Sequence, residues 1–183
     1  AIAEAYIKAI EQRKPEAAAN MSVEQITSQE ATFALGALGF RDALEPLMNE
    51  VNSDNMPRRI NAAIALVRLN LEPSDLPKIR EALKKVFDEA GVQVKPQLIA
   101  AMRHMYDPKI LPFYLEQAKD SELHPVVRLE AIKAYALLAN ADEAKTLREF
   151  VNSDEAEESG YQEKWKQLIP ALDDAKECDE DLT

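Results

Sequence analysis

One tetrapeptide limits what this chain can become. Val51-Asn-Ser-Asp54 returns unchanged as Val151-Asn-Ser-Asp154, and the residues before it return with it. Ala31, Ala34, Leu38, Asp42 and Leu47 recur 100 positions later as Ala131, Ala134, Leu138, Asp142 and Leu147. Two further copies fit between them. If Leu35 marks the first, Leu66, Met102 and Tyr135 hold its place in the others, at steps of 31, 36 and 33 residues. Each copy reads as two helices. A period of this size with unequal turns is the signature of stacked supersecondary units, each leaning on its neighbours, rather than of one closed globule.

Composition supports helices. The chain of 183 residues is 46% hydrophobic but only 6% aromatic, with four glycines, a balance suited to close helix packing. Cys178 is the only cysteine, which excludes an intrachain disulfide and a cysteine-based zinc site. With no run of eighteen apolar residues, the chain is expected to be soluble and to need no membrane. A cytoplasmic location is expected. Because the first residue is Ala rather than Met, a periplasmic one is the alternative if an export signal was removed.

Charge is unevenly placed. Of the net −11, residues 142–183 carry −9, from fourteen acids and five bases, whereas residues 58–109 hold ten bases against six acids. An acidic chain repels polyanions, so nucleic acid is not an expected partner.

Taken in order, residues 1–21 are expected to form an N-terminal cap, with Ile2, Ala5, Tyr6, Ala9 and Ile10 on one helical stripe ending near Pro15. Ser22 to Gln25 and Thr27 to Glu30 both have capping-box spacing, and one of them should start the first repeat. The four repeats then span 22–154. In the first, Ala31, Ala34, Leu35 and Leu38 form a stripe that Gly39 ends, and a second helix from about Asp42 carries Leu44, Leu47, Met48 and Val51. The second repeat uses Ala62, Ala65, Leu66 and Leu69, then Leu76, Ile79, Leu83, Val86 and Phe87. The third uses Leu98, Ala101, Met102 and Met105, a turn at Asp107-Pro108, then Ile110, Leu111, Tyr114 and Leu115. The fourth uses Val127, Ala131, Ala134, Tyr135 and Leu138, then Ala144, Leu147, Phe150 and Val151. Pro46, Pro77 and Pro112 all fall early in second helices, where a missing amide costs little. Residues 155–172 are expected to close the stack. They comprise an exposed loop at Glu155 to Gly160, then a capping helix with Trp165, Leu168, Ile169 and Leu172 on its apolar stripe. Residues 173–183 read as an acidic tail.

The pattern Ala-x-x-Ala-Leu-Gly-x-Leu-Gly, a short turn with an acid, then Ala-Leu-x-Pro-Leu, as in Ala31 to Leu47, resembles the HEAT-repeat family, especially its short bacterial form. It covers residues 22–154, with a longer turn and second helix in the second repeat and Ala136 and Ala139 in place of the glycine pair in the fourth. The resemblance implies an all-α fold, a right-handed α-solenoid of about four to five antiparallel helix pairs in a single domain. It also implies that second helices line a concave face and that the usual role is a protein-binding scaffold.

Catalytic signals are weak. His104 and His124 stand in different repeats, too few for a metal site, and the paired His-Glu dipeptides of iron-binding hydroxylases in this family are missing. No serine sits in a Gly-x-Ser-x-Gly elbow and no glycine-rich phosphate loop occurs. Asn-Ser-Asp lacks the glycine and distal glutamate of a calcium loop and reads as a helix-ending turn. Lys78, Arg80, Lys84 and Lys85 alternate with Glu81, Asp88 and Glu89, which reads as a salt-paired face, and Met102 and Met105 read as core. The expectation is a non-enzymatic scaffold without cofactor or metal that binds another protein or peptide segment. Candidate contacts at non-stripe positions of the second helices are Glu45, Asn49, Lys78, Glu81, Lys85, Glu116 and Arg148. The alternatives are the repeat portion of a phycobilin-lyase-like enzyme or chaperone, and a structural spacer.

Overall fold

The computed structural model describes residues 23–167, with side chains from residue 31 onward. Every regular element among them is helical: ten α-helices and three short 3-10 turns. The expected caps at 1–21, the end of the closing helix with Leu168, Ile169 and Leu172, and the tail with Cys178 lie outside the described residues. The chain forms two compact units, Ala1–Ala90 and Gly91–Thr183.

In the N-terminal unit, helices α1 (Val23–Leu38), α2 (Leu44–Val51), α3 (Met56–Leu66) and α4 (Leu76–Glu89) follow one another. First helices pack on first helices and second on second: α1 lies against α3, α2 against α4, and α3 also touches α2 and α4. The closest approach is at Gly36. A Cβ there would lie 2.9 Å from the Cα of Ala65, nearer than packed carbon atoms come, so glycine is what lets α1 and α3 meet. Three residues on, Gly39 takes φ +62° and ends α1, and its carbonyl accepts a hydrogen bond from the Asn70 amide at 3.1 Å. Leu35, Leu47, Val51, Leu66, Ile79 and Phe87 are completely buried between these helices.

The C-terminal unit holds α5 (Lys95–Met102), α6 (Leu111–Lys119), α7 (Pro125–Leu138), α8 (Ala141–Val151), α9 (Asp154–Glu158) and α10 (Gln162–Lys166). Here α5 and α6 both pack on α7, and α8 is flanked by α7, α9 and α10. Met102 and Met105 are core residues, as their stripe positions indicate.

The repeated tetrapeptide folds the same way twice. Asn52 and Asn152 end α2 and α8 with φ, ψ of −96°, 7° and −97°, 5°. Their side-chain amides donate to the carbonyls of Met48 and Arg148, at 2.8 and 2.9 Å. Each adds a side-chain donor to a carbonyl in the last turn of its helix, that of Arg148 also taking the Asn152 amide at 3.1 Å. This is the helix-ending turn read from the sequence.

Two expectations need correction. Glu155 to Gly160 is not an open loop, because Asp154–Glu158 is a helical turn. Ser153 accepts from the Ala156 amide, and Asp154, Glu155 and Glu157 sit at the positive end of the helix dipole, so the acids that read as loop favour the helix start. The choice left open between two helix starts is narrowed, since α1 begins at Val23 and Thr27 lies inside it. Leu38, assigned to the apolar stripe, is 59% exposed. It is the last residue of α1 and stands about 200° around the helix from Gly36, where α1 meets α3.

Candidate functional site

The seven residues expected to touch a partner are accessible. Glu45, Asn49, Lys78, Glu81, Lys85 and Glu116 are exposed and Arg148 is half-buried. Five of them stand on α2 and α4 of the N-terminal unit. Glu116 on α6 and Arg148 on α8 belong to the C-terminal unit.

Two are engaged with each other. Lys78 Nζ donates to Glu45 Oε1 at 2.8 Å, joining α4 to α2. One turn earlier Arg41 donates through Nη2 to both carboxylate oxygens of Asp75, at 3.1 and 2.9 Å, and also lies 3.2 Å from Glu72. The partners are 34 and 33 residues apart, so the turn leading into α2 and its first residues lie beside the start of α4. The Glu72 amide, with Arg41 next, holds the Asp75 carboxyl below its ordinary value. Farther along α4, Glu81 lies 3.9 Å from Lys84. This face is thus a lattice of opposite charges with Asn49 and Lys85 beside it. Such exposed pairs add little to stability and leave the charges available to an incoming chain.

The sequence reading missed two buried arginines. Arg59, in the first turns of α3, donates from Nε to the Val51 carbonyl at 3.0 Å, and Arg128 of α7 does the same to the Ala118 carbonyl at 2.9 Å. Each caps the end of the preceding second helix, α2 or α6, with a guanidinium. They are 8% and 4% exposed. Charge alone suggests solvent, but both stand seven residues before the marker positions Leu66 and Tyr135. That shared register was the available signal. Their outer ends differ: Arg59 pairs with Glu89, whereas Arg128 stacks over Trp165, 4.9 Å from the ring centroid, and its Nη2 has no hydrogen-bond partner. Arg59 therefore holds the Glu89 carboxyl below its ordinary value, and burial lowers the pKa of Arg128.

Among the described residues no three His, Cys, Asp or Glu side chains come together, and no helix is long and apolar enough to cross a membrane. His104 is exposed, and His124 caps α7, its Nδ1 accepting from the Val126 amide at 3.3 Å. Tyr114 is fully buried, its hydroxyl has no hydrogen-bond partner and burial raises its pKa, so it is a core ring rather than an acid or base. No family model matches the chain, and neither a curated protein nor a solved structure shows significant similarity to it.

Proposed function

We propose that this chain is a non-enzymatic scaffold of the HEAT type, its helix pairs stacked as a right-handed α-solenoid, and that a partner protein docks on the face made by the second helices. The observation that carries this reading is the rung pattern on α2 and α4. Arg41 with Asp75 and Glu45 with Lys78 tie the start of the α2 segment to the start of α4, as neighbouring units of such a stack would be tied. In the N-terminal unit first helix packs on first and second on second, which supports the same layering. A surface built this way is long, gently varied and mixed in sign, which suits an extended charged segment better than a small molecule. The partner is a protein or peptide; nucleic acid, a membrane, a cofactor and a metal play no part in the reading.

The test is site-specific photo-cross-linking in the source cell. A benzophenone side chain at Asn49 or Lys85 should trap a discrete protein, and one at Ala37 on α1 should not. Adducts from Ala37 alone, or turnover of a small molecule by the purified chain, would contradict the proposal.

A further inference from the structure

Tyr106 is the one non-glycine residue with positive φ among the described residues, at φ 49°, ψ 38°. It stands four positions after Met102, just as Gly39 stands four after Leu35. Gly39 adopts φ +62° there, a conformation that glycine takes without a Cβ clash and tyrosine takes only with strain. The strain is not offset by packing, because Tyr106 is 68% exposed, the most exposed of the large hydrophobic residues described. A strained backbone that holds an aromatic ring out in water points to something the ring meets from outside.

The charge around it narrows the class. Between Gly91 and Leu115 the only acid is Asp107. It is buried and accepts the Lys109 amide at the start of the next turn. Lys109 and His104, three and two positions from Tyr106 in the chain, are exposed, and Arg103, three positions before it, is half-buried. The 3-10 turn carrying Arg103 and His104 packs on α7, which fixes its place in the unit. An exposed ring with a basic residue three positions to each side in sequence, and no exposed carboxylate between Gly91 and Leu115, suits a partner segment rich in Asp or Glu.

We propose that the Tyr106 turn is a docking point for an acidic peptide segment of another protein, the ring serving as anchor and Lys109, Arg103 and His104 facing its carboxylates. It lies on the turn between α5 and α6 rather than on a second-helix face, so it stands or falls separately from the scaffold reading above.

The test is fluorescence anisotropy. The full chain is titrated into a fluorescein-labelled glutamate peptide with a central leucine pair, alongside a lysine counterpart. Saturable binding of the glutamate peptide alone is expected. Y106G should weaken it by about tenfold or more while unfolding at the same or a higher temperature, because it relieves the strain. K109E should weaken it by about fivefold, and K145E on α8, the same charge change elsewhere, by less than about twofold. Absence of saturable binding, equal binding of the lysine peptide, or undiminished binding by Y106G would overturn the proposal. So would a K145E effect equal to that of K109E, which would mean general polyanion attraction, or a lowered unfolding temperature in Y106G, which would assign the ring to the fold.

Discussion

The Arg128 guanidinium lies over the Trp165 indole, 4.9 Å from the ring centroid, while its Nε holds the Ala118 carbonyl at 2.9 Å. One side chain thus ties the end of α6, the start of α7 and helix α10 together. Trp165 is 1% exposed and stacks in turn on Phe150 of α8 at 5.9 Å.

Removing that tie should be costly. Arg128→Ala is expected to destabilise the fold by about 2–4 kcal/mol, combining a lost charge-assisted hydrogen bond with a cavity beneath the indole. Arg128→Met keeps most of the volume and avoids a buried charge with a nitrogen left unbonded, so it should cost clearly less. Urea titrations of the two variants, followed by Trp165 fluorescence, check the order. Equal midpoints for the two would show that the packing volume is irrelevant.

Gly36 and Gly91 offer a contrast in glycine chemistry. Gly36→Ala puts a methyl 2.9 Å from the Ala65 Cα and should destabilise by about 1–3 kcal/mol despite the better helix propensity of alanine. Gly91 has nothing within 4 Å of its would-be Cβ, so Gly91→Ala should be neutral or stabilising by about 0.4–1 kcal/mol. Thermal unfolding of both variants decides it.

The repeat itself predicts matched effects. Leu47 and Leu147 are 0% and 1% exposed, 100 residues apart, each on a second helix. Leu47→Ala and Leu147→Ala should each cost about 2–5 kcal/mol, the range for emptying a packed leucine site. Denaturant midpoints that fall for one variant and stay fixed for the other would break the equivalence.

Acid should release the rung at Asp75. Its folded-state pKa is depressed, so in the interval between the folded and unfolded values the unfolded chain binds more protons and stability rises with pH. The contribution is present above the unfolded carboxyl value and is lost as pH falls through the lower, folded one. Asp75→Asn should therefore flatten part of the stability decline below about pH 4 and change little of the slope between pH 5 and 7. Denaturant titrations at successive pH values measure both slopes.

What the sequence made legible was the apolar half of the design. Ala31, Leu35, Ala131 and Tyr135 repeat in the period of a helix, and all four are buried, because apolar periodicity and burial have the same cause. The charged half was harder. Arg59 and Arg128 were assigned no role in the linear pattern, yet each guanidinium is buried against a carbonyl at the end of a helix. Glu155 to Gly160 read as loop because polarity was weighed without the Ser153 cap. Glu45 and Lys78 were named separately as partner contacts. Their mutual bond depends on how α2 and α4 lie together, which a linear pattern does not state. Leu38 fitted the stripe by spacing and failed by position, at the end of a helix whose inner face Gly36 sets.

The side-by-side arrangement of successive second helices underlies the proposed binding face, and carbodiimide coupling tests it most directly. The reagent joins a carboxylate and an amine only when they already touch, as Glu45 and Lys78 do at 2.8 Å. Peptide mapping of the treated native chain should yield an isopeptide between Glu45 and Lys78 that vanishes when the chain is coupled in denaturant. A native chain with no Glu45–Lys78 link, whose Glu45 instead couples to lysines outside α4, would contradict the account.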